Sequence, residues 1–559
     1  MKPPSLYFPL LLSLPVVSAV TDESTPAPPL QNANHIFNAI HTSMRQFRSS
    51  VHHNGMSFFL ASVPKYTKLY HGDASPDPLR EIGWMAFEPE HAMVFARPSR
   101  RPRDKMTKID MENEPAQQQL LADYADADDD KKKLPSGVSG YLHTYATVKD
   151  LRLLYVDGTS AGKSAIGTLD SQDRVIFNDT ITGGVSSEDR RARTVCQLAK
   201  NDWQNRLDGV IRMAAGFEII LCDPEVNLVS VRVMPVPSET EDGEQKHREH
   251  PQNGDEREEN GKEGKKGTPR GKPAELLRAI TSRHDGIGGE RVKLNYDHFV
   301  TAYDPSYDLD LFAGDDETQS KRPRLRHFSS EELQPIRDNL TRLILDHEVT
   351  ESSVNWQSRA DLIVAKYGPF LRSLLPSKPK DKNKHKPEDK QRPLHKTESK
   401  SKHDKRQQHK QHKQQRNDPR AAARIASLMS PFASSSPQET ITLCATQFLS
   451  TPDADSPLAH RALYSVNYNI CSTLVELSTF LDLTGEGEED TKLVHSTIRD
   501  LMMYLNWSTW KECRGCRNNE FCAVPIWPQG SEKDFEHPKC RTFEEGWQGE
   551  GGYWGPIWD

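Results

Sequence analysis

The chain has 559 residues, room for two to four domains of ordinary size, yet only 35% are hydrophobic and the mean hydropathy is -0.75, which excludes a packed core running through all of it. The formal charge of -7 is unevenly spread: residues 377–416 carry fifteen Lys or Arg against five Asp or Glu, so this segment is +10 and the remainder -17. Basic character is therefore local.

Lys2, the apolar run from Leu6 to Val17 and the small residues Val17-Ser18-Ala19 read as a secretory leader, a signal peptide over residues 1–19. The run is too short to span a bilayer, no later stretch reaches 18 apolar residues, and Gly551 to Asp559 is neither a lipid-anchor tail nor a retention signal. Eight cysteines and three glycan acceptor sequons, at Asn178, Asn339 and Asn506, agree with export. The expectation is a secreted glycoprotein, extracellular or in the cell wall, with no membrane span after the leader is removed.

Order is expected to begin near Asn34. Ile36, Phe37, Ile40, Met44, Phe47 and Val51 recur at helical steps and predict one helix ended by Asn54-Gly55. Met56 to Val63 and Lys68 to His71 read as strands, residues 98–136 as charged and irregular, and Tyr141 to Val148 and Leu151 to Val156 as strands again. Glu188 to Asn205 predicts a helix carrying Val195, Ala199 and Trp203, and Phe217 to Leu221 a buried strand. Together these make an α+β domain over residues 34–236.

Residues 237–273 have too little apolar surface to offset chain entropy and are expected to be a disordered insert. Residues 274–376 form a mixed, mainly helical extension, in which Ala274 to Ile280 is helical and the strand-like Arg291 to Tyr303 completes the first domain across the insert. The segment 377–420 is a basic linker, solvated or docked on anionic polymer, with Lys405-Arg406 as a candidate processing site. It lacks interleaved aromatics for base stacking, so no nucleic acid is expected.

Residues 421–559 read as an all-α, disulfide-rich domain. Leu463, Val466, Ile470, Leu474, Leu477 and Leu481 mark one helix and Val494, Ile498, Leu501 and Leu505 a second, followed by an irregular tail rich in tryptophan. Cys444, Cys471, Cys513, Cys516, Cys522 and Cys540 fall here and Cys196 and Cys222 in the first domain, which implies three bridges and one bridge. Six cysteines allow fifteen connectivities. The spacing Cys513-x2-Cys516 with Cys522, Cys540 and His537 also suits zinc, but an oxidising compartment favours disulfides, and no metal is assigned.

Gly158-Thr-Ser-Ala-Gly162-Lys163-Ser164 follows a strand as a phosphate loop does, but three residues separate its glycines where four are needed. It is a Gly-rich turn. No Gly-x-Ser-x-Gly or His-Glu-x-x-His signature of a hydrolase is present. His91 is expected to be a solvated helix residue.

Three segments in order, Leu69-Tyr70-His71-Gly72, Trp84 to Ala96 with Phe87 and Phe95, and Asp208 to Asp223 with Glu218, resemble the ADP-ribosyltransferase fold, especially its poly(ADP-ribose) polymerase-like branch. The resemblance implies that His71 and Gly72 hold NAD, that Phe87 or Phe95 walls the nicotinamide, and that His71 and Glu218 are catalytic, the Glu218 carboxylate stabilising positive charge on the ribose as the glycosidic bond breaks. NAD would then be a substrate rather than a resident cofactor. No Tyr or Ser stands in the Trp84 to Glu88 stretch, and Gly216 stands where arginine-modifying members carry a second acid. As a whole the chain looks like secreted proteins of filamentous fungi.

Two functions follow as expectations. The first is a secreted NAD-cleaving enzyme or a degenerate relative that keeps its fold. The second is a non-catalytic extracellular interaction protein that holds a protein partner or an anionic wall polymer.

Overall fold

The apolar stripe from Ile36 to Val51 is buried throughout, but it is carried by two helices, α1 (Ala33–Thr42) and α2 (Gln46–Val51). Met44 breaks the predicted single helix at φ 54, and its amide, released from the helical ladder, donates to the Tyr155 hydroxyl at 3.1 Å. The computed structural model describes residues 30–97, 135, 137–181, 187–238, 273–313, 322–351, 354–376, 421–484, 487–547 and 551–555. The expected leader, most of the irregular stretch 98–136, nearly all of the insert 237–273 and the basic linker with Lys405-Arg406 lie outside the described residues.

A nine-stranded sheet forms the centre. Its strands are β1 (Asn54–Val63), β2 (Lys68–Asp73), β3 (Gly83–Ala86), β4 (Val138–Thr147), β5 (Leu151–Gly158), β6 (Gly209–Met213), β7 (Phe217–Leu221), β8 (Leu228–Pro237) and β9 (Lys293–Thr301), in the order β8-β4-β2-β3-β7-β6-β5-β1-β9. Among the described strands only the β5–β6 pair is parallel. The expected strand near Arg291 to Tyr303 is β9, and it does close the sheet across the insert, against β1. Strands β1, β6 and β7 are buried on both sides, which is why β1 and β7 read as mostly apolar; their charged exceptions, Arg212 on β6 and Glu218 on β7, pair with each other.

Between the strands lie α3 (Pro89–Met93), α4 (Glu188–Asn201) and the single turn α5 (Pro224–Asn227); α6 (Pro273–Thr281), α7 (Ser330–Asp346) and α8 (Trp356–Leu374) follow. Helix α7 opens on a capping box, Ser329 accepting from the Glu332 amide while the Glu332 carboxylate accepts from that of Ser329. Arg45 binds both carboxylate oxygens of Asp361 at 2.6 Å, clamping the α1–α2 junction to α8.

The C-terminal region holds α9 (Ala421–Met429), α10 (Pro437–Ala445), the long α11 (Leu458–Thr484) and α12 (Glu488–Leu505). It does not stand apart from the sheet. One apolar cluster runs from Phe37 and Phe59 to Leu474 and Ile498, and Asn34 and Asn38 on α1 donate to the carbonyls of Tyr504 and Leu505 at the end of α12. The amphipathic face of α1 thus fills the space between sheet and bundle. The expected all-α character is corrected by a two-stranded sheet, β10 (Glu520–Ala523) and β11 (Lys539–Thr542), separated by α13 (Glu532–Glu536). Short strands with charged and cysteine residues carry little apolar periodicity to announce them.

All eight cysteines are paired, as Cys196–Cys222, Cys444–Cys471, Cys513–Cys522 and Cys516–Cys540. The first staples α4 to the residue after β7. The partition into one bridge and three is that expected from the positions of the cysteines. Among the described residues no helix is long and apolar enough to cross a membrane.

Candidate functional site

Strand alternation decides where the expected catalytic residues point. Residues opposite one another in an antiparallel pair share a face, and neighbours along a strand take opposite faces. Tyr70 stands opposite Ala86, Ala86 opposite Glu218, and Glu218 opposite Arg212, so these four share one face. His71, next to Tyr70, projects from the other. The sheet therefore separates the expected pair, correcting the constellation in which His71 and Glu218 act on one substrate.

On its own face His71 donates from Nδ1 to the Trp84 carbonyl at 2.9 Å, with its ring centroid 6.0 Å from that of His143. His143 donates from Nε2 to the Ser75 carbonyl at 2.8 Å, and the Tyr145 hydroxyl accepts from the Leu79 amide at 2.9 Å. These bonds hold the loop from Asp73 to Ile82 against the strands. The loop lines an open depression of about 480 Å³ through Asp73, Ser75, Asp77, Pro78, Leu79, Arg80 and Glu81. Burial holds the His71 imidazole below its ordinary range and so neutral.

Gly72 has a packing role. A Cβ there would lie 2.0 Å from the Ala92 carbonyl oxygen, so the glycine is what lets α3 sit on β2. Phe87 is 2% exposed, and the Arg291 guanidinium lies 5.7 Å from its ring centroid. The space beside it, lined by Gln46, Glu88, His91 and Arg283 among others, measures about 10 Å³, enough for one water at most. A nicotinamide ring does not fit there. Phe95 is half-buried against the His91 ring, and His91 itself, expected to be solvated, is buried under Phe217 and Gly216. Neither phenylalanine forms a wall over a space shared by His71 and Glu218.

Glu218 is closed into a buried ion cluster. Its Oε1 accepts from Arg212 Nε at 2.9 Å and Nη2 at 2.7 Å; Arg212 Nη2 also binds Glu188, and its Nη1 donates to Gln172 at 3.3 Å. Burial pushes the Glu218 carboxyl up. Burial opposes charge on Glu188 too, but Arg212 first, with Lys163 and Arg191, holds it below the ordinary carboxylate range. Lys163, from the Gly-rich turn, is 1% exposed. The cluster ties the first residue of α4 and the turn Ser171–Ile176 to β6 and β7, and it has no opening for a dinucleotide among the described residues. Sequence reading missed Arg212 and Glu188, since a charged residue on a strand and one at a helix start carry no sign that they meet.

A second feature missing from the sequence reading is the seat of the tail. His53 donates from Nδ1 to Asn54 Oδ1 and accepts at Nε2 from the Tyr553 hydroxyl, both at 2.7 Å. Trp554 is 1% exposed, and Trp527 and Tyr553 complete the cluster. The tail's described tryptophans thus act mainly as core, not as display.

The sequence profile of a family described as the YPL277C N-terminal domain matches residues 29–262. The chain is 25% identical over 382 residues to the uncharacterised protein YOR389W of Saccharomyces cerevisiae, covering 61% of this chain and 58% of the relative. It is 29% identical over 227 residues to the uncharacterised protein YPL277C of the same yeast, covering 37% of this chain and 44% of the relative. The chain thus spans about half the length of the curated relatives it matches. The matched region runs from α1 through β8, which places the whole His71 to Glu218 part of the sheet inside the shared segment. No solved structure matches the chain.

Proposed function

We propose that this chain is an exported, disulfide-stapled protein that works by holding a partner at its surface, an extracellular or cell-wall-associated interaction protein and not an NAD-cleaving transferase. The observation that carries the reading is the placement of His71 and Glu218 on opposite faces of the sheet, with Glu218 bound to Arg212 inside the protein. A carboxylate that must reach ribose hydroxyls cannot do so from there.

Two features support the positive half. Four disulfides suit an oxidising compartment. Near the β8 edge of the sheet Tyr66, Val148, Val226, Val229 and Val231 are exposed, and backbone bonds from Tyr66 to Thr147 and from Val148 to Asn227 bring their segments side by side, so that exposed apolar side chains of the kind partners cover gather there among Lys68, Ser230 and Arg232. In the sequence, the +10 segment adds attraction for anionic polymer.

The test is co-sedimentation of the purified chain with wall material. Retention that moderate salt releases and that deletion of residues 377–416 removes supports the reading. NAD consumption by the wild type that vanishes in Glu218→Gln would overturn it and restore the transferase.

A further inference from the structure

We propose that the four sulfurs of Cys513, Cys516, Cys522 and Cys540 form a tetrahedral zinc site when their two disulfides are reduced. The Sγ atoms of Cys513, Cys516 and Cys540 all lie within 4.8 Å of one another, and that of Cys522 is bonded to Cys513. Four thiolates around Zn²⁺ at about 2.3 Å stand about 3.8 Å apart. A disulfide holds its sulfurs about 2 Å apart, so on reduction each bonded pair must part to reach those corners, inside a cluster that already gathers all four sulfurs.

The backbone is arranged for the same end. Cys513-Arg514-Gly515-Cys516 turns through Gly515 at φ 80, which brings the first two sulfurs together, and Cys522 stands directly opposite Cys540 in the β10–β11 ladder, which brings together the second two. The Cys513 amide donates to Cys522 Sγ at 3.0 Å, a bond that favours a thiolate at that atom. Arg514 and Arg517 flank the turn and Lys539 and Arg541 flank Cys540, Arg541 being paired with Asp534 at 2.8 Å, so cations stand near the place where a tetrathiolate zinc centre would carry two negative charges. Cys513, Cys516 and Cys540 are half-exposed, whereas Cys444 and Cys471 are fully buried. A reductant therefore reaches the two linked bridges well before the bridge in the helical bundle.

The chemistry balances. Each disulfide takes two electrons and two protons from a dithiol, which is itself oxidised to a disulfide, and gives two thiols. Four thiols then release four protons as one Zn²⁺ binds. The same sulfurs thus have an oxidised, doubly bridged state and a reduced, metal-holding state, selected by the redox poise around the chain. The inference is independent of what the surface of the protein binds.

The experiment uses the full chain, reduced with a phosphine under anaerobic conditions and titrated with Co²⁺. One equivalent per chain with the visible ligand-field bands of tetrahedral cobalt–thiolate, displaced by Zn²⁺ and lost in Cys516→Ser but kept in the double variant Cys196→Ser/Cys222→Ser, is the expected result. A readout that needs no variant is alkylation mapped by mass spectrometry: Zn²⁺ should slow labelling of Cys513, Cys516, Cys522 and Cys540 at least tenfold and leave Cys196 and Cys222 unchanged. Absent bands, bands that persist in Cys516→Ser, equal bands from the urea-unfolded chain, or labelling that Zn²⁺ does not slow would each overturn the proposal.

Discussion

Arg212 and Glu218 stand directly opposite each other on β6 and β7, 2.7 Å apart, on the face of the sheet turned away from His71. One buried guanidinium serves two carboxylates, since Glu188 shares it. Removing the cation takes away the side chain that bonds both acids and leaves them to the charges of Lys163 and, for Glu188, Arg191, so Arg212→Ala should cost about 3–5 kcal/mol. Glu218→Gln keeps the shape and the accepting oxygen and should cost about 1–2 kcal/mol. Urea unfolding followed by far-ultraviolet circular dichroism measures both. An Arg212→Ala variant as stable as the wild type would show that the cluster does not hold α4 to the sheet.

Five histidines, three of them buried and His35 and His52 half-buried, make the fold sensitive to acid. Burial holds His35, His41 and His91 down at about 4 and His52 and His53 at about 3, against about 6.5 in an unfolded chain. A depressed histidine pKa means that the unfolded state binds the proton first. Their contribution is therefore complete above about pH 6.5 and is lost as pH falls from there towards 3. Unfolding at pH 5.5 should take up several protons, which calorimetry in buffers of different ionisation enthalpy counts directly. Uptake of less than one proton would mean that these rings are charged or solvated in the folded chain.

Asp157 acts in the opposite direction. It is 4% exposed, its Oδ1 accepts from the Ser57 amide at 2.8 Å, and burial raises its pKa to about 7. A raised carboxyl binds its proton in the folded state first, so its favourable state is complete below about pH 4 and is lost as pH rises through 7. The neutral isostere escapes that loss. Asp157→Asn should match the wild type in Tm near pH 4 and exceed it at pH 8, by up to about 4 kcal/mol in stability. A variant less stable than the wild type at pH 8 would place the ionised carboxylate in the native fold.

The helical stripes and buried strands were legible because their cause is local: spacing along the chain puts Leu463 to Leu481 on one side of α11 and makes β7 apolar except at Glu218. The pairing order of the sheet was not, because nothing near Glu218 says that β3 is its neighbour on one side and β6 on the other. The His-Gly pair shows how a motif can mislead. Gly72 is required by the approach of Ala92, and His71 by its bond to Trp84, both packing causes that yield the same two letters as a ribose-binding step. The break at Met44 was hidden for a related reason, since its bond to Tyr155 comes from a strand more than a hundred residues away. Nor does local spacing announce that α1 packs on α11 and α12 as well as on the sheet.

Tyr553 closes the account of the aromatic tail. Its hydroxyl gives His53 Nε2 the donor that the buried neutral ring needs, and Arg322 lies 5.0 Å from the centroid of its ring. Tyr553→Phe keeps the packing and leaves that nitrogen without a donor, so it should cost about 1–2 kcal/mol. Trp554→Ala removes a side chain that is 1% exposed and should cost about 3–5 kcal/mol. The difference separates anchoring by shape from anchoring by the hydrogen bond, and limited proteolysis reads it: cleavage after the tail's aromatic residues should quicken markedly in Trp554→Ala and only slightly in Tyr553→Phe. Equal and unchanged cleavage in both variants would mean that the tail lies off the protein in solution, and His53 would then need another donor.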